Sequence, residues 1–571
     1  MFQRPLIFAL MFIRIKTSPN SPKKAVQIVE SFREGKKVRQ KIVRHVGTAL
    51  NDKELKAMQE LAEHIKAEMA HQKQAALFDN SVLAEMAIAA REKEDGQPLE
   101  VDLKKLREQS RVTTGIHEVY GKVYGLFDFD RVIANPLRKK AATNNLRQAV
   151  MGRIANPLSK RATAAMLTES YGASISEAAL YRMMDHIDDK VVDKIQKNAY
   201  RLASSLFSSP LRVMFYDCTT LYFESFTEDE LKENGYSKDL KFNQPQVLLS
   251  LLVTDQGLPV GYDVFPGSTY EGHTLCKAVE KLEKAYGLED LIVVADSGML
   301  NEDNLQIIEE QGKSYIVGGR IKNQSKAVTD KVLDKDGYTS FGDGLSTKDI
   351  TFKKKDKETK EEVERRLVAS YSESRAHKDS HDRQQAVDKL LDKVKKTSNP
   401  KDLISNFGYQ KYIKLEGEAS YTIDPQKIEN DKKWDGLLGV VTNIKVDQMA
   451  ASQVLEHYHG LWQVEQCFRV SKTDLKIRPL YHWTPRRVKA HIAICFMALV
   501  CVRYLYYLSK VHQLGFSELS IRQTLNNVQF SILSHTENNK RYAIPSKKTI
   551  QAEKLYQLMG LKLSDVPFQI C

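Results

Sequence analysis

Apolar and polar residues alternate over the first fifty positions. AVQIVESF and KVRQKIVRHVG have period-two patterning on either side of REGK, whose Gly35 suits a hairpin turn, and FIRIK reads as a preceding strand. From Asp52 to about Glu94 the period lengthens to that of a helix, as in NDKELKAMQELAEHIKAEMA. Residues 100–205 stay mostly helical and rich in basic side chains, with breaks at Asn135-Pro136 and Asn156-Pro157. Within them, SISEAALYRMMDHI offers Ser174 or Ser176 as an N-cap. A short helix, a turn and the helix carrying Tyr181 and Arg182 fit a DNA-reading helix-turn-helix, and equally a plain packing unit.

The pattern changes at residue 211. LRVMFYDCTTLYF is β-rich, and QVLLSLLVTDQGLPVGYDVF reads as two strands around TDQGLP. GHTLCKAVEKLEKAYG is a helix, LIVVADSG a short buried strand ending at Asp296, NEDNLQIIEEQG a helix and SYIVGG a strand. The order β-β-β-α-β-α-β, followed by a further helix, is a ribonuclease-H-like topology. Residues 321–435 interrupt it with the charge run TFKKKDKETKEEVERR, expected as a solvated hairpin, a helix around AVDKLLDKVKK, and the strand-like KYIKLEG and ASYTID. The final helix is expected at about 448–472. The predicted class is therefore α/β: a ribonuclease-H-like mixed-sheet catalytic core interrupted by a β-rich insertion, with N-terminal β-hairpin and helical DNA-binding regions. Its regions are 1–100 (β-hairpin and helix), 101–205 (helical), 206–320 (core, first part), 321–435 (insertion), 436–515 (core, second part) and 516–571 (C-terminal, assigned to dimerisation).

Composition narrows the partners. Apolar residues at 42 % and charged residues at 28 % of 571 are those of a globular protein. Lysine and arginine exceed aspartate and glutamate by 86 − 73 = 13, which favours a polyanion such as nucleic acid, although charge alone also fits an unspecialised basic protein. The six cysteines form no CxxC pair, which points to a reducing, cytoplasmic setting and no zinc site. The opening MFQRPLIFALMFIRIK lacks a cleavage site and runs at once into Arg14 and Lys16, so no signal peptide is expected, and Met11 is an alternative start. The 11 residues of IAICFMALVCV, Ile492–Val502, fall short of the roughly 20 needed to cross a bilayer, so a buried core helix and no membrane partner are expected.

Three carboxylates carry the candidate chemistry. Asp217 and Asp296 end apolar strands that this topology makes neighbours, and Glu465 lies on the returning helix. Converging carboxylates suit hard divalent ions such as Mg²⁺, and two ions about 4 Å apart can clamp both oxygens of a phosphodiester exchange. Singly, each aspartate also reads as a turn or cap residue. On the helix, Tyr458, Leu461, Glu465, Arg469 and Lys472 share one stripe. The plain alternative is a Glu465–Arg469 surface pair worth about 0.2–0.5 kcal/mol, but Leu461, Trp462 and Phe468 mark the helix as half buried. His457 and His459 point to different faces, which argues against a metal pair, and His273 reads as a helix cap. The segment KTDLKIRPLYHWTPRRVK adds Lys476, Arg478, Arg486, Arg487 and Lys489 as a phosphate-binding patch.

Tyr458, Glu465 and Lys472 resemble, in every spacing, the Y-(2)-R-(3)-E-(6)-K signature of DDE transposases of the insertion-sequence-four superfamily. YDCTTLYFES, LPVGYDVFPGSTYEGHTL, VVADSGMLNEDNL and LWQVEQCFRVSKTDLKIRPLYHW are similar to that family around the carboxylates, over roughly 210–320 and 435–505. Leu461 departs from it by standing in the arginine position, with Arg469 as a substitute for the lost DNA contact. The resemblance implies cut-and-paste transposition, with Asp217, Asp296 and Glu465 binding two Mg²⁺ ions, for which Mn²⁺ can substitute. It also implies Tyr458 and Lys472 on phosphates near the cut, and a tryptophan, for which Trp434 is the candidate, stacking a flipped base. The implied partners are double-stranded DNA, as element ends and target, and a second copy of the chain on that DNA. The alternatives are a ribonuclease-H-like nuclease or resolvase that cuts without joining, and an inactive DNA-binding inhibitor of transposition.

Overall fold

The computed structural model describes residues 11–49 except 19–20 and 35–36, positions within 52–66 and 83–90, and 100–570 except 208–210, 225–226, 236–242, 287–289, 300–301, 343, 356–361, 397–410, 417–419 and 539. Strands β1 (Met11–Ser18), β2 (Ser21–Glu34) and β3 (Lys37–Ala49) form an antiparallel sheet. Glu34 pairs with Lys37, so the predicted hairpin closes there, while Gly35 itself lies outside the described residues. Val26 and Ile28 are buried against Ala62 of the helical stretch that follows, with Leu55, Met58 and Ile65 packed around them. That is the period-two face meeting the period-3.6 face.

The next region is not purely helical. Strand β4 (Leu106–Thr113) precedes α1 (Lys140–Ala155), α2 (Lys160–Ser170), α3 (Glu177–Met184) and α4 (Asp189–Ser205). Ser176, not Ser174, caps α3 by accepting from Ala179 N at 3.2 Å. Tyr181 of the expected recognition helix faces inward, against His482 and beneath the Arg487 guanidinium at 4.9 Å.

The core holds β5 (Val213–Tyr222), β6 (Gln246–Thr254), β7 (Pro259–Pro266), α5 (Leu275–Tyr286), β8 (Ile292–Ala295), α6 (Glu302–Glu310) and β9 (Ser314–Gly319). Hydrogen bonding arranges the strands as β7-β6-β5-β8-β9, with β5, β8 and β9 parallel and β6 antiparallel to its neighbours. This is the ribonuclease-H-like sheet. Every residue of β6 is buried, because both faces of the sheet are covered.

The β-rich insertion extends this sheet. It comprises β10 (Thr339–Gly342), β11 (Leu345–Lys355), β12 (Glu362–Ser372), α7 (Glu373–Lys396), β13 (Ile413–Glu416), β14 (Ser420–Ile423) and α8 (Pro425–Lys432), and leads into β15 (Leu437–Thr442). Strand β15 pairs with β9, β12 with β15, and β11 and β10 follow, giving nine strands. The charge run does pair as two antiparallel strands, with Lys355 opposite Glu362 and the residues between them outside the described residues, but it is not wholly solvated. Arg365 is buried and holds Glu309 through Nε and Nη2, both at 3.0 Å, and Glu302 at 2.5 Å. Arg366 is buried beside Asp349 at 2.6 Å.

The last core helix is also not continuous. It divides into α9 (Ala451–His459) and α10 (Trp462–Arg469), with a turn at Gly460 and Leu461 and a π-type turn over Val470–Asp474. Helix α11 (Pro485–Val511) is long and apolar enough to cross a membrane, yet 83 % of its most apolar window is buried inside the protein. It is the expected core helix, extended beyond Ile492–Val502. The chain ends with α12 (Glu518–Asn526), β16 (Gln529–His535), β17 (Arg541–Pro545), α13 (Ile550–Leu558) and β18 (Phe568–Ile570). Strand β16 pairs with β4, so 101–205 and 516–571 share a sheet instead of standing apart. The five described cysteines are all buried thiols.

Candidate active site

Strand β5 divides its side chains between two cores. Met214, Tyr216 and Cys218 enter one, and Val213, Phe215 and Leu221 enter the other. Alternation puts Asp217 on the second face. In β8, Val293 and Ala295 take the first face and Ile292 and Val294 the second, which puts Asp296 on the same side as Asp217. The two strands are parallel with Tyr216 opposite Ala295 as their last pair, and Asp217 and Asp296 each follow that pair by one residue. Adjacent strands are about 4.8 Å apart, so these carboxylates are neighbours. Asp217 lies mid-strand, not at the end of β5 as expected, but at the point where β8 stops. Each carboxylate accepts the next backbone N–H at 2.7 Å, from Cys218 and Ser297 respectively.

Helices α9 and α10 cover this face. Val454, Leu455, Val464, Cys467 and Phe468 are buried in the same core as Phe215. Gly460 permits the approach, because a Cβ there would overlap the Phe215 ring. Gly318 on β9 does the same for Tyr458: a Cβ would come within 2.5 Å of its hydroxyl. Tyr458 thereby donates to Asp296 Oδ1 at 3.5 Å. Burial, reinforced by the Asp296 charge and that of Glu465, pushes the Tyr458 phenol up to about 12, so it remains a donor at neutral pH. Glu465 itself is exposed on α10.

These donors are hard oxygens, and their chemistry fits Mg²⁺ or Mn²⁺. Among the described residues no three His, Cys, Asp or Glu side chains stand close enough together to ligate one ion in this conformation. His457 is half-buried and His459 exposed, while His273 ends the 3₁₀ turn Glu271–His273 and packs edge-on to Tyr270.

The sequence profile described as "Transposase DDE domain" matches residues 208–501, over half of the chain, from β5 into α11. The chain belongs to the DDE transposases. A second profile, "IS1634 family transposase, N-terminal domain", matches residues 13–76, and the two together make this an insertion-sequence transposase. No curated protein matches the sequence. Among solved structures, the chain is similar to the piggyBac transposase in a synaptic complex with hairpin DNA, at 10 % identity and TM-score 0.38, covering 73 % of this chain and 82 % of that one. The Mos1 transposase paired-end complex with the left transposon end matches at 12 % identity and TM-score 0.14, covering 30 % and 57 %.

The remaining candidates of this transposase fall into two groups. Arg469, with Nε 3.0 Å from Gln466, and Lys476 are exposed; Lys472 in the π-type turn is half-buried; and Arg478 lies over the Tyr222 ring at 5.4 Å. Arg486 and Arg487 instead tie α11 to the helical region. Arg487 holds Asp185 through two 3.0 Å bonds, Arg486 donates to the Asp185 carbonyl, and Lys489 lies 3.8 Å from Asp189. Leu461 is buried at 9 % exposure, so the side chain in the arginine position faces the core. Trp434 packs against the sheet core with Lys322 over its ring at 5.8 Å, which is a packing environment. Trp462 is 49 % exposed, against the half-buried role expected of it. Sequence reasoning also passed over Tyr481 and Trp483, which are 69 % and 76 % exposed. Their interleaving with Arg478, Arg486 and Arg487 in RPLYHWTPRR was the available signal.

The basic loop rests on buried cations. Arg153 donates to the Leu475 carbonyl at 3.4 Å, and His491 Nε2 lies 3.3 Å from the Ile477 carbonyl, so His491 Nδ1 is left to accept from Lys160 at 3.2 Å. Burial, reinforced by Arg153, pulls the Lys160 ammonium down to about 7. Between pH 7 and the unfolded value near 10.5 the unfolded chain binds more protons than the folded one, so stability rises with pH across that window. Lys160→Met is expected to remove this rise and to be the more stable protein at pH 7, by on the order of a few kcal/mol. The check is the difference in urea midpoint between the two proteins from pH 7 to 10.

Proposed function

We propose that this transposase excises and inserts its element by cut-and-paste, with Asp217, Asp296 and Glu465 holding two divalent ions, Mg²⁺ or Mn²⁺, at the DNA end. The observation that carries this reading is that Asp217 and Asp296 directly follow the last register pair of two neighbouring parallel strands, Tyr216 and Ala295, with Tyr458 of the covering helices bonded to Asp296. When bound, such ions activate water or a 3′-hydroxyl and steady the leaving 3′-oxygen. The chain's own residues position the DNA. Tyr458 keeps its proton and orients Asp296. Arg469, Lys472, Lys476 and Arg478 take backbone phosphates, which fixes register without reading sequence. Tyr481 and Trp483 offer exposed rings for unpaired bases. The basic sheet β1–β3 and the helical region bind the element end, and two copies of the chain bring two ends together.

The test uses purified full-length protein and a supercoiled donor carrying the inverted repeats that flank the gene. With Mg²⁺, excised linear and strand-transfer products are expected, and EDTA abolishes both. Cutting without joined products would select the nuclease reading, and end binding without cutting the inhibitor.

A further inference from the structure

Glu465 faces outward from α10, while Gln463 and Cys467 are buried and Gln466 is half-buried. Those inward residues meet an ion pair inside the protein. Arg503 of α11 and Glu518 of α12 are 2 % and 6 % exposed and 2.7 Å apart. The Arg503 guanidinium spreads over three elements: Nη1 to Glu518, Nε to the Gly257 carbonyl in the β6–β7 turn at 3.0 Å, and Nη2 to Gln463 Oε1 at 3.3 Å. Glu518 in turn accepts from Gln466 Nε2 at 3.3 Å, and Cys467 Sγ lies 3.8 Å from the same Gly257 carbonyl. Gly257 has φ +78°, and a Cβ there would collide with both Gln463 and Arg503. Arg522 of α12 also donates to the Asp474 carbonyl at 2.7 Å, at the end of the π-type turn.

A buried ion pair is a weak source of stability, because desolvation offsets its attraction. Its geometry does something else here. It fixes α10 at positions 463, 466 and 467, which lie on the helix face opposite the outward-facing Glu465 and set both the rotation and the axial height of the helix. We propose that Arg503 and Glu518 are positioning residues for Glu465, fixing the helix from which its carboxylate would join Asp217 and Asp296 when a metal binds. This rests on the reading of Glu465 as a metal-binding carboxylate. It gives the C-terminal region a part in the active site through α12.

The decisive variant is Arg503→Met with Glu518→Leu in the full-length protein. Removing both charges together avoids an orphaned ion, so the fold is expected to hold. Mn²⁺ affinity, read by electron paramagnetic resonance titration of the free protein, is expected to fall about 10–100-fold, as is usual when a metal ligand loses its supporting partner. Amide exchange in residues 462–469 speeds up, the Mg²⁺ concentration for half-maximal cleavage rises, and binding to a terminal-repeat duplex is unchanged. Gln463→Met, which alters no charge, shifts Mn²⁺ affinity the same way by a smaller factor, and it decides the question if the double variant does not fold. Wild-type Mn²⁺ affinity in either folded variant overturns the proposal. Glu465→Gln separates the two readings: if it binds Mn²⁺ and cleaves like wild type, the assignment of Glu465 fails and the positioning role with it. If it is defective while the positioning variants match wild type, only the positioning role fails.

Discussion

Asp217→Ala, Asp296→Ala and Glu465→Ala are each expected to reduce Mg²⁺-dependent strand cleavage by on the order of 10³-fold or more, while binding to a terminal-repeat duplex persists. The size follows from the chemistry. Losing one carboxylate from a charge clamp forfeits about 4 kcal/mol of transition-state stabilisation, which is three decades in rate. The fold is little affected, because Glu465 and Asp296 are exposed and Asp217 is half-buried. Substitutions at such positions usually stay within about 0.5 kcal/mol. Removing one of three like charges also relieves repulsion in the metal-free protein. The melting temperature is therefore expected to stay level or rise slightly, which distinguishes lost chemistry from lost structure. Gel-shift, cleavage and thermal-melt measurements on the same preparations test this. A variant that still cleaves would remove its residue from the site.

Arg365→Leu is expected to have the largest effect on stability, a loss of about 3–5 kcal/mol, the usual cost of breaking a buried ion pair from one side. Arg365 on β12 is buried between Glu302 and Glu309 of α6, and Tyr315 donates to the same Glu309 oxygen at 2.8 Å. Removing the guanidinium leaves Glu309 with no cation, only the Tyr315 hydroxyl, at the seam between the insertion and the core, while Glu302 keeps Lys354. Replacing Arg365, Glu302 and Glu309 together by apolar residues should recover most of the loss, because no orphaned charge remains. Urea unfolding gives the magnitude. Amide exchange at β12 and α6 shows where it falls, which matters in a chain this long, where unfolding need not be two-state.

Much of the core was legible because its strands and helices are local. A buried strand such as Ile292–Ala295 needs only a short β-branched run, and the helix after it needs only its period. Ser176 could be narrowed to one of two caps but not chosen, since the choice depends on which side chain meets the Ala179 N–H. The basic segment was legible as charge and not as role. Arg487 and Lys476 look alike in the sequence, yet one holds Asp185 and the other is exposed. Leu461 departs from the signature visibly in the sequence, and its burial gives the reason: that position faces the core.

The sequence by itself determined the order of the core elements from β5 to β9 and the spacing of Tyr458, Glu465 and Lys472, because these depend on periodicity and residue type along the chain. Only the tertiary structure decided that the insertion extends the core sheet, that β4 pairs with β16, and that Arg503 and Glu518 reach α10 from distant positions. Those are pairings between segments far apart in the chain. Their energies depend on burial and hydrogen-bond geometry, which no local pattern encodes.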